Sequence, residues 1–141
     1  MERKTGSCLC GAVKFSAVPS KNEIDACHCG DCRKSVGGPL MSVECSDTLQ
    51  IEDEGAVTFY GSSDWAERGF CRTCGSQMFW RLKDKSMSTV HAGMFDDVDG
   101  MTFTTEIFID KKPEYYAFAG ERKTMTGQEV FDAFMQSKDE A

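Results

Sequence analysis

Cysteine is the residue type in this sequence whose number and spacing point most directly to chemistry. Seven of the eight cysteines form three tight groups: Cys8 and Cys10; Cys27, Cys29 and Cys32; and Cys71 and Cys74. A disulfide framework would spread its cysteines along the chain to join distant loops, whereas a metal site needs several sulfur atoms around one point. The clustering therefore favours metal binding over disulfide bonds.

Cys71 and Cys74 have the spacing of a zinc knuckle, in which a tight turn aims both sulfur atoms at one ion. Gly75 supplies the permissive backbone that such a turn often needs. We predict that Cys8 and Cys10 provide the other two ligands, because residues i and i+2 of an extended segment point the same way. Four cysteine ligands leave zinc no further position, so this site is predicted to be structural.

The group Cys27, Cys29 and Cys32 places three thiols within six residues. Three protein ligands and one exchangeable position are the arrangement of catalytic zinc, which can bind a substrate thiol as thiolate or polarise a carbonyl. We therefore predict two zinc ions per chain, the second of them catalytic. The alternative is a second structural zinc that has a fourth ligand from the protein.

Three residues are candidates for that fourth ligand: His28, His91 and Cys45. His28 stands between two ligands and is expected to point away from the ion that they share. His91 lies in a predicted strand, where a histidine is more often a satisfied sheet residue than a ligand. Cys45 alternates with Val43 on an apolar face and is predicted to belong to the core.

Arg33 and Lys34 follow the last cysteine of this group directly. Their positive charge would favour the thiolate form of nearby sulfur and could hold an anionic substrate. The alternative is that both side chains only mark the solvated end of a short helix. We carry both residues forward as candidate substrate-binding groups.

Size and charge restrict the class of protein. The chain has 141 residues, which fits a single domain over residues 1–141. Its formal charge of -7 and pI of about 4.8 make nucleic acid an unfavourable partner. No apolar run approaches the roughly 20 residues that span a bilayer, and no signal-peptide core follows the polar N-terminus. We expect a cytoplasmic protein whose thiols stay reduced.

The hydrophobic pattern predicts a mainly β domain. Alternating or β-branched segments indicate strands at residues 11–18, 41–45, 49–51, 57–60, 77–82, 88–95 and 101–109. A stripe of apolar residues predicts a C-terminal helix at residues 127–138, which Thr126 and Glu129 would begin as a capping box. A second, short helix is expected near residues 32–34. The predicted class is a small antiparallel β domain whose loops are held by metal.

Four segments of the chain resemble one known family. The sequences GSCLCGAVKF at residues 6–15, CHCGDCRK at 27–34 with Gly37 and Gly38, FCRTCG at 70–75 and IFIDKKPEY at 107–115 follow its order and spacing. The family is that of the glutathione-dependent formaldehyde-activating enzyme and centromere protein V. The resemblance covers roughly residues 6–118 and implies the β-tent fold, in which strands fold over zinc.

The resemblance also implies ligands and a reaction. The family's structural zinc falls on Cys8, Cys10, Cys71 and Cys74, and its catalytic zinc falls on Cys27, Cys29 and Cys32. The implied reaction is the making and breaking of a carbon–sulfur bond, as when glutathione adds to formaldehyde and gives S-hydroxymethylglutathione. Two positions depart from the family pattern: Glu106 replaces a histidine, and Tyr115 or Tyr116 replaces a tryptophan.

Three functions are consistent with these features. The first is a zinc-dependent carbon–sulfur lyase that acts on a small thiol or thiol adduct, with glutathione as one example. The second is a zinc-binding module without catalysis that binds another protein, which requires a saturated second metal site. The third is a thiol redox enzyme, which requires a reactive cysteine free of metal, and only Cys45 is spare.

Overall fold

The computed structural model describes residues 1–140, and the side chains of residues 1–137. The predicted mainly β class is confirmed, because eleven strands and two α-helices make up the described chain. The Cα positions divide into two compact units. The first contains residues 1–24 and 41–102, and the second contains residues 25–40 and the chain from residue 103 onward. The single domain over residues 1–141 stays a prediction.

Antiparallel strands build the first unit. A three-stranded sheet consists of β1 (Lys4–Ser7), β2 (Lys14–Ala17) and β5 (Gln50–Ile51), with β2 in the centre. A larger sheet places five strands in the order β4, β9, β8, β7, β6. Their bounds are β4 (Leu40–Ser46), β6 (Val57–Gly61), β7 (Ala66–Cys71), β8 (Gln77–Leu82) and β9 (Ser88–His91).

The core of the first unit follows from alternation along these strands. Phe79 on β8 pairs in register with Val90 on β9, and both side chains are buried. The ring of Phe15 on β2 meets the ring of Phe79 edge to face, with centroids 5.1 Å apart. Cys45 is fully buried in the same cluster, so the prediction that it is a core residue is confirmed.

The second unit carries both α-helices. Its elements are the end of β3 (Glu23–Cys27), α1 (Gly30–Val36), most of β10 (Thr102–Ile107), β11 (Lys123–Met125) and α2 (Gly127–Glu140). The strands β10 and β11 pair in parallel, whereas the sequence suggested antiparallel pairing alone. In the described part of the chain, no helix is long and apolar enough to cross a bilayer.

The predicted capping box begins α2. The Thr126 backbone N–H donates to Glu129 Oε1 at 3.0 Å, and the Glu129 N–H donates to Thr126 Oγ1 at 3.2 Å. The predicted apolar stripe is only partly buried, because Phe131 is 48% exposed and Met135 is 56% exposed. Phe131 packs edge to face on Phe108, with ring centroids 5.8 Å apart.

Candidate metal centres

The eight cysteines are all free thiols, and seven of them form two clusters. Within each cluster the sulfur atoms lie within 4.8 Å of one another. The first cluster contains Cys8, Cys10, Cys71 and Cys74, and the second contains Cys27, Cys29 and Cys32. The structure thus brings together every cysteine in the grouping that spacing and resemblance predicted, and each cluster lies within one unit.

Two tight turns build the four-cysteine cluster. The Gly75 N–H donates to the Cys71 carbonyl at 2.8 Å, and Gly75 has a positive φ of 79°, as the zinc-knuckle pattern predicted. The other pair is also held by a turn, because the Gly11 N–H donates to the Cys8 carbonyl at 3.2 Å. The expectation of an extended segment at Cys8 and Cys10 is wrong, because a turn holds the pair, but the structure does bring this pair close to Cys71 and Cys74. Leu9, at the tip of this turn, is 90% exposed.

The sulfur spacing of this cluster fits a tetrahedral ion. Zinc–sulfur bonds of about 2.3 Å in a tetrahedron give sulfur–sulfur edges of about 3.8 Å. The Cys8 and Cys10 sulfur atoms lie 3.6 Å apart, and those of Cys10 and Cys71 lie 3.8 Å apart. The donor set and its dimensions therefore suit zinc.

Several sulfur atoms of the same cluster have hydrogen-bond partners that can stabilise a thiolate. The Val13 N–H donates to Cys8 Sγ at 3.3 Å, and the Cys74 N–H donates to Cys71 Sγ at 3.4 Å. The Ser76 hydroxyl lies 3.1 Å from Cys74 Sγ. Hydrogen bonds from the Ser76 side chain and backbone lower the pKa of Cys74 to about 5. The fold thus stabilises the thiolate form of Cys74. Cys10 differs, because the Ala12 backbone lowers its pKa but desolvation and the other three sulfur atoms outweigh that effect and raise it to about 11.

The loop from β3 into α1 builds the three-cysteine cluster. Cys27 ends β3, Cys29 is the N-cap of α1, and Cys32 lies in the first turn of that helix. The Cys29 sulfur accepts a hydrogen bond from the Cys32 N–H at 3.3 Å. Cys27 and Cys32 are buried against Leu40, whereas Cys29 is half-buried. The end of β3, the N-cap of α1 and the first turn of α1 therefore place the three sulfur atoms close together.

Crowding makes the Cys27 thiol resist ionisation in the absence of a cation. Hydrogen bonds with the Cys29 and Cys32 sulfur atoms, together with burial, raise the pKa of Cys27 well above its ordinary value. Three thiolates so close together would repel one another in a partly dry site. A divalent cation removes that penalty because it neutralises the sulfur charges. The donor set therefore fits a metal ion better than it fits an isolated nucleophilic cysteine.

His28 does not take part in the cluster, as the sequence predicted. Its ring is fully buried, with Nε2 2.8 Å from Glu106 Oε1 and Nδ1 2.7 Å from the Tyr116 hydroxyl. Burial raises the pKa of Glu106, but hydrogen bonds from Arg122 and His28 outweigh that effect and hold the pKa below its usual range. Because an ionised carboxylate only accepts, Nε2 carries the proton in this contact.

Sequence reasoning missed the partners of His28. Glu106 drew attention only as a departure from the family pattern, and Arg122 was not singled out. In the structure, Arg122 Nη1 donates to Glu106 Oε2 at 2.8 Å, and the guanidinium lies 4.0 Å from the centre of the Phe103 ring. The sequence offered no signal for this contact, because the burial of Glu106 could not be read from it.

The two cations after the cluster occupy different environments. Arg33 is half-buried, and its Nε donates to the His28 carbonyl at 3.0 Å. Arg33 thus braces the cysteine loop, which the sequence did not predict. Lys34 is exposed in the last turn of α1. Their roles toward a substrate stay predictions.

His91 belongs to neither cysteine cluster. Its Nδ1 donates to the Gln77 carbonyl at 2.7 Å, and the ring is buried in the first unit. Burial lowers the pKa of His91 to about 4 and outweighs the hydrogen bond to Gln77, which acts in the opposite direction. His91 is thus a buried strand residue, but the prediction of a satisfied histidine holds for Nδ1 alone, because Nε2 is buried without a hydrogen-bond partner in the described part of the chain.

This buried histidine should make stability depend on pH. The unfolded chain takes up a proton near the ordinary pKa of 6.5, whereas folded His91 stays neutral down to about 4. Because the unfolded state binds more protons in this interval, stability is expected to fall as pH decreases from 6.5 to 4, by up to about 3 kcal/mol. Urea unfolding of the wild type and of His91→Gln at pH 7 and pH 4.5 measures the effect. Metal loss at acid pH affects both proteins, so equal losses in the two would show that His91 is not the cause.

The two cysteine clusters on a mainly β scaffold define a class of small cysteine-rich proteins able to hold metal ions. The family model described as "Glutathione-dependent formaldehyde-activating enzyme" matches residues 3–111. The chain belongs to this family, and the resemblance that the cysteine motifs carried is confirmed.

Two curated proteins are similar over most of their length. An uncharacterized lyase of Schizosaccharomyces pombe is 30% identical over 137 residues, which cover 96% of this chain and 100% of that protein. A Halomonas elongata protein, provisionally named a glutathione-dependent formaldehyde-activating enzyme, is 29% identical over 122 residues, which cover 78% of this chain and 77% of that one. A crystal structure of a Rhodobacter sphaeroides protein shares the fold, with a TM-score of 0.57 and 22% identity over 71% of this chain and 99% of that chain.

Proposed function

We propose that this protein is a zinc-dependent carbon–sulfur lyase that acts on the adduct of a small thiol and an aldehyde. The observation that carries the proposal is the convergence of the Cys27, Cys29 and Cys32 sulfur atoms within 4.8 Å. No fourth histidine, cysteine or carboxylate joins that group among the residues whose side chains are described. Three protein ligands are the number that catalytic zinc uses.

The proposed metal ligands are the seven clustered cysteines, four for a structural zinc and three for the reactive one. Zinc at the three-cysteine cluster would supply Lewis-acid chemistry, which lowers the pKa of a bound thiol and polarises a carbonyl. The protein's own residues supply the rest. Cys29 and Cys32 are set by the first turn of α1, and Arg33 fixes the loop through the His28 carbonyl.

The proposed reaction balances without a redox partner. In the direction of synthesis, a thiol loses its proton, its sulfur attacks the aldehyde carbon, and a carbon–sulfur bond forms. The carbonyl π bond breaks, and the resulting oxygen takes up a proton to give the hydroxymethyl adduct. Cleavage reverses each step. Neither oxidant nor reductant is consumed, so a cluster that holds a metal with no redox activity is sufficient.

Glutathione with formaldehyde is the substrate pair that we propose. The names of the family and of the Halomonas elongata relative support it. Glutathione is anionic at neutral pH, and Lys34 presents an exposed cation two residues after the last cysteine of the cluster. Because seven thiols must stay reduced to bind zinc, we place the reaction in a reducing compartment such as the cytoplasm.

Metal content and adduct formation test the proposal. Elemental analysis of protein purified without chelators should give two zinc ions per chain. With ¹³C-formaldehyde and glutathione, NMR exchange should show adduct formation and breakdown faster than the uncatalysed reaction by at least roughly tenfold. S-methylglutathione, which has no thiol, is the matched control. Two zinc ions without rate enhancement for any small thiol would favour the binding module that lacks catalysis, and one zinc or fewer would contradict the two-site assignment.

A further inference from the structure

His28, which stands between two cysteines of the three-cysteine cluster, is held by hydrogen bonds of both its backbone and its side chain. Its backbone N–H donates to the Ile107 carbonyl at 3.1 Å, and its own carbonyl accepts from Arg33 Nε at 3.0 Å. Both ring nitrogens are engaged as well, by Glu106 and by Tyr116. Every polar atom of His28 therefore has a partner, and the ring is 0% exposed.

The partners of His28 are themselves held. Glu106 accepts from Arg122 Nη1 at 2.8 Å, and Arg122 Nη2 donates to the Ala119 carbonyl at 2.6 Å. Lys112 Nζ lies 2.5 Å from the Tyr116 carbonyl. Hydrogen bonds thus run from the segment 112–122 through Glu106 and Tyr116 to His28. All of these residues belong to the second unit, as do the three cysteines.

The buried ion pair of Glu106 and Arg122 is an unfavourable way to gain stability alone. Burial of a carboxylate and a guanidinium removes both from water, and an apolar pair of similar volume is often as stable or more so. In some proteins, buried ionic groups are retained because they fix one conformation of the groups around them. Here the residue whose conformation is fixed is His28, which lies between the proposed metal ligands Cys27 and Cys29.

We propose that Glu106 and Tyr116 are positioning residues for the three-cysteine cluster, acting through His28 on the backbone that joins Cys27 to Cys29. Consecutive Cα atoms are about 3.8 Å apart, so rotation of the His28 peptide units moves both flanking sulfur atoms. Groups that orient metal ligands from outside change metal affinity by about 10- to 100-fold.

This inference rests on the metal site of the proposed function, but it does not depend on turnover. The variants Tyr116→Phe and Glu106→Gln each remove one interaction and keep the shape of the side chain. Their matched controls are Tyr115→Phe, which changes a neighbouring ring that is 76% exposed, and Glu114→Gln, which changes an exposed carboxylate. Protein produced with Co²⁺ in place of its natural metal is titrated with a chelator, because metal-free protein is expected to unfold. The thiolate charge-transfer and d–d absorption report the metal retained and the ligand geometry of each cluster.

The two positioning variants should bind Co²⁺ at the three-cysteine cluster at least about tenfold more weakly, with altered d–d bands. The four-cysteine cluster and both controls should match the wild type. A loss that affects both clusters equally would show general destabilisation and would overturn the inference. Unchanged affinity and spectra in both positioning variants would also overturn it, and would leave the proposed function standing. Uptake of only one Co²⁺ by the wild type would overturn the proposed function and this inference together.

Discussion

A Cys74→Ser protein is expected to be unfolded or insoluble. Apparent binding free energies of structural zinc are about 10–16 kcal/mol, whereas whole domains are stable by only about 5–15 kcal/mol. The four-cysteine cluster joins the turn at residue 8 to the knuckle at residue 71, and Cys10 and Cys71 are 61 positions apart in the sequence. Loss of one ligand therefore removes an amount of free energy comparable to the whole stability of the fold. Circular dichroism and a thermal melt measure it.

Thr73→Ala is the matched control for this variant. Thr73 lies in the same knuckle and is exposed, and its backbone N–H to Cys71 Sγ at 3.4 Å survives the substitution. This control should melt within a few degrees of the wild type. A Cys74→Ser protein that melts like Thr73→Ala would show that the four-cysteine cluster does not stabilise the fold.

Cys29→Ser is expected to abolish adduct chemistry and to keep the fold. Serine is a good N-cap, so its hydroxyl can replace the sulfur that accepts from the Cys32 N–H and still begin α1. The loop from Cys27 to Cys32 has only six residues. A metal bound there therefore restricts the unfolded chain much less than one that joins distant segments. Zinc content should fall from two ions to one, and the NMR exchange rate should return to the uncatalysed level.

Lys34→Gln, on the exposed side of the same helix, is the control for zinc content. It should keep both ions, and any change should be limited to the affinity for an anionic thiol. If Cys29→Ser loses its zinc and keeps full activity, the proposed mechanism is wrong. If it unfolds as completely as Cys74→Ser, the division into structural and catalytic clusters is wrong.

Local patterns in the sequence predicted the parts of this protein that depend on a few neighbouring residues. The knuckle at Cys71, the positive φ of Gly75 and the capping box at Thr126 each involve residues no more than four positions apart. The grouping of the cysteines was also predictable, because few arrangements satisfy so many clustered thiols in one small chain. The strand β8 was predicted with its correct bounds.

Interactions between distant segments were not predictable in the same way. His28 and Glu106 are separated by 78 residues, and no spacing rule connects them. The strands β1, β3, β7 and β11 were missed because they are short or rich in polar and charged residues, and only pairing makes them strands. The predicted strand at 88–95 ends at His91, because residues 92–94 form a turn of 3₁₀-helix.

The division of the second unit into two stretches of chain has a consequence for synthesis on the ribosome. Cys27, Cys29 and Cys32 emerge early and close together, so they can capture a metal ion as soon as the loop is outside the exit tunnel. The four-cysteine cluster must wait for Cys74. Glu106, Tyr116 and Arg122 emerge after both, so the contacts that hold His28 close last. Under the proposed assignment, a nascent chain would bind its second metal ion before the groups that orient the ligands exist, and a chain that ends before residue 106 would lack those groups altogether.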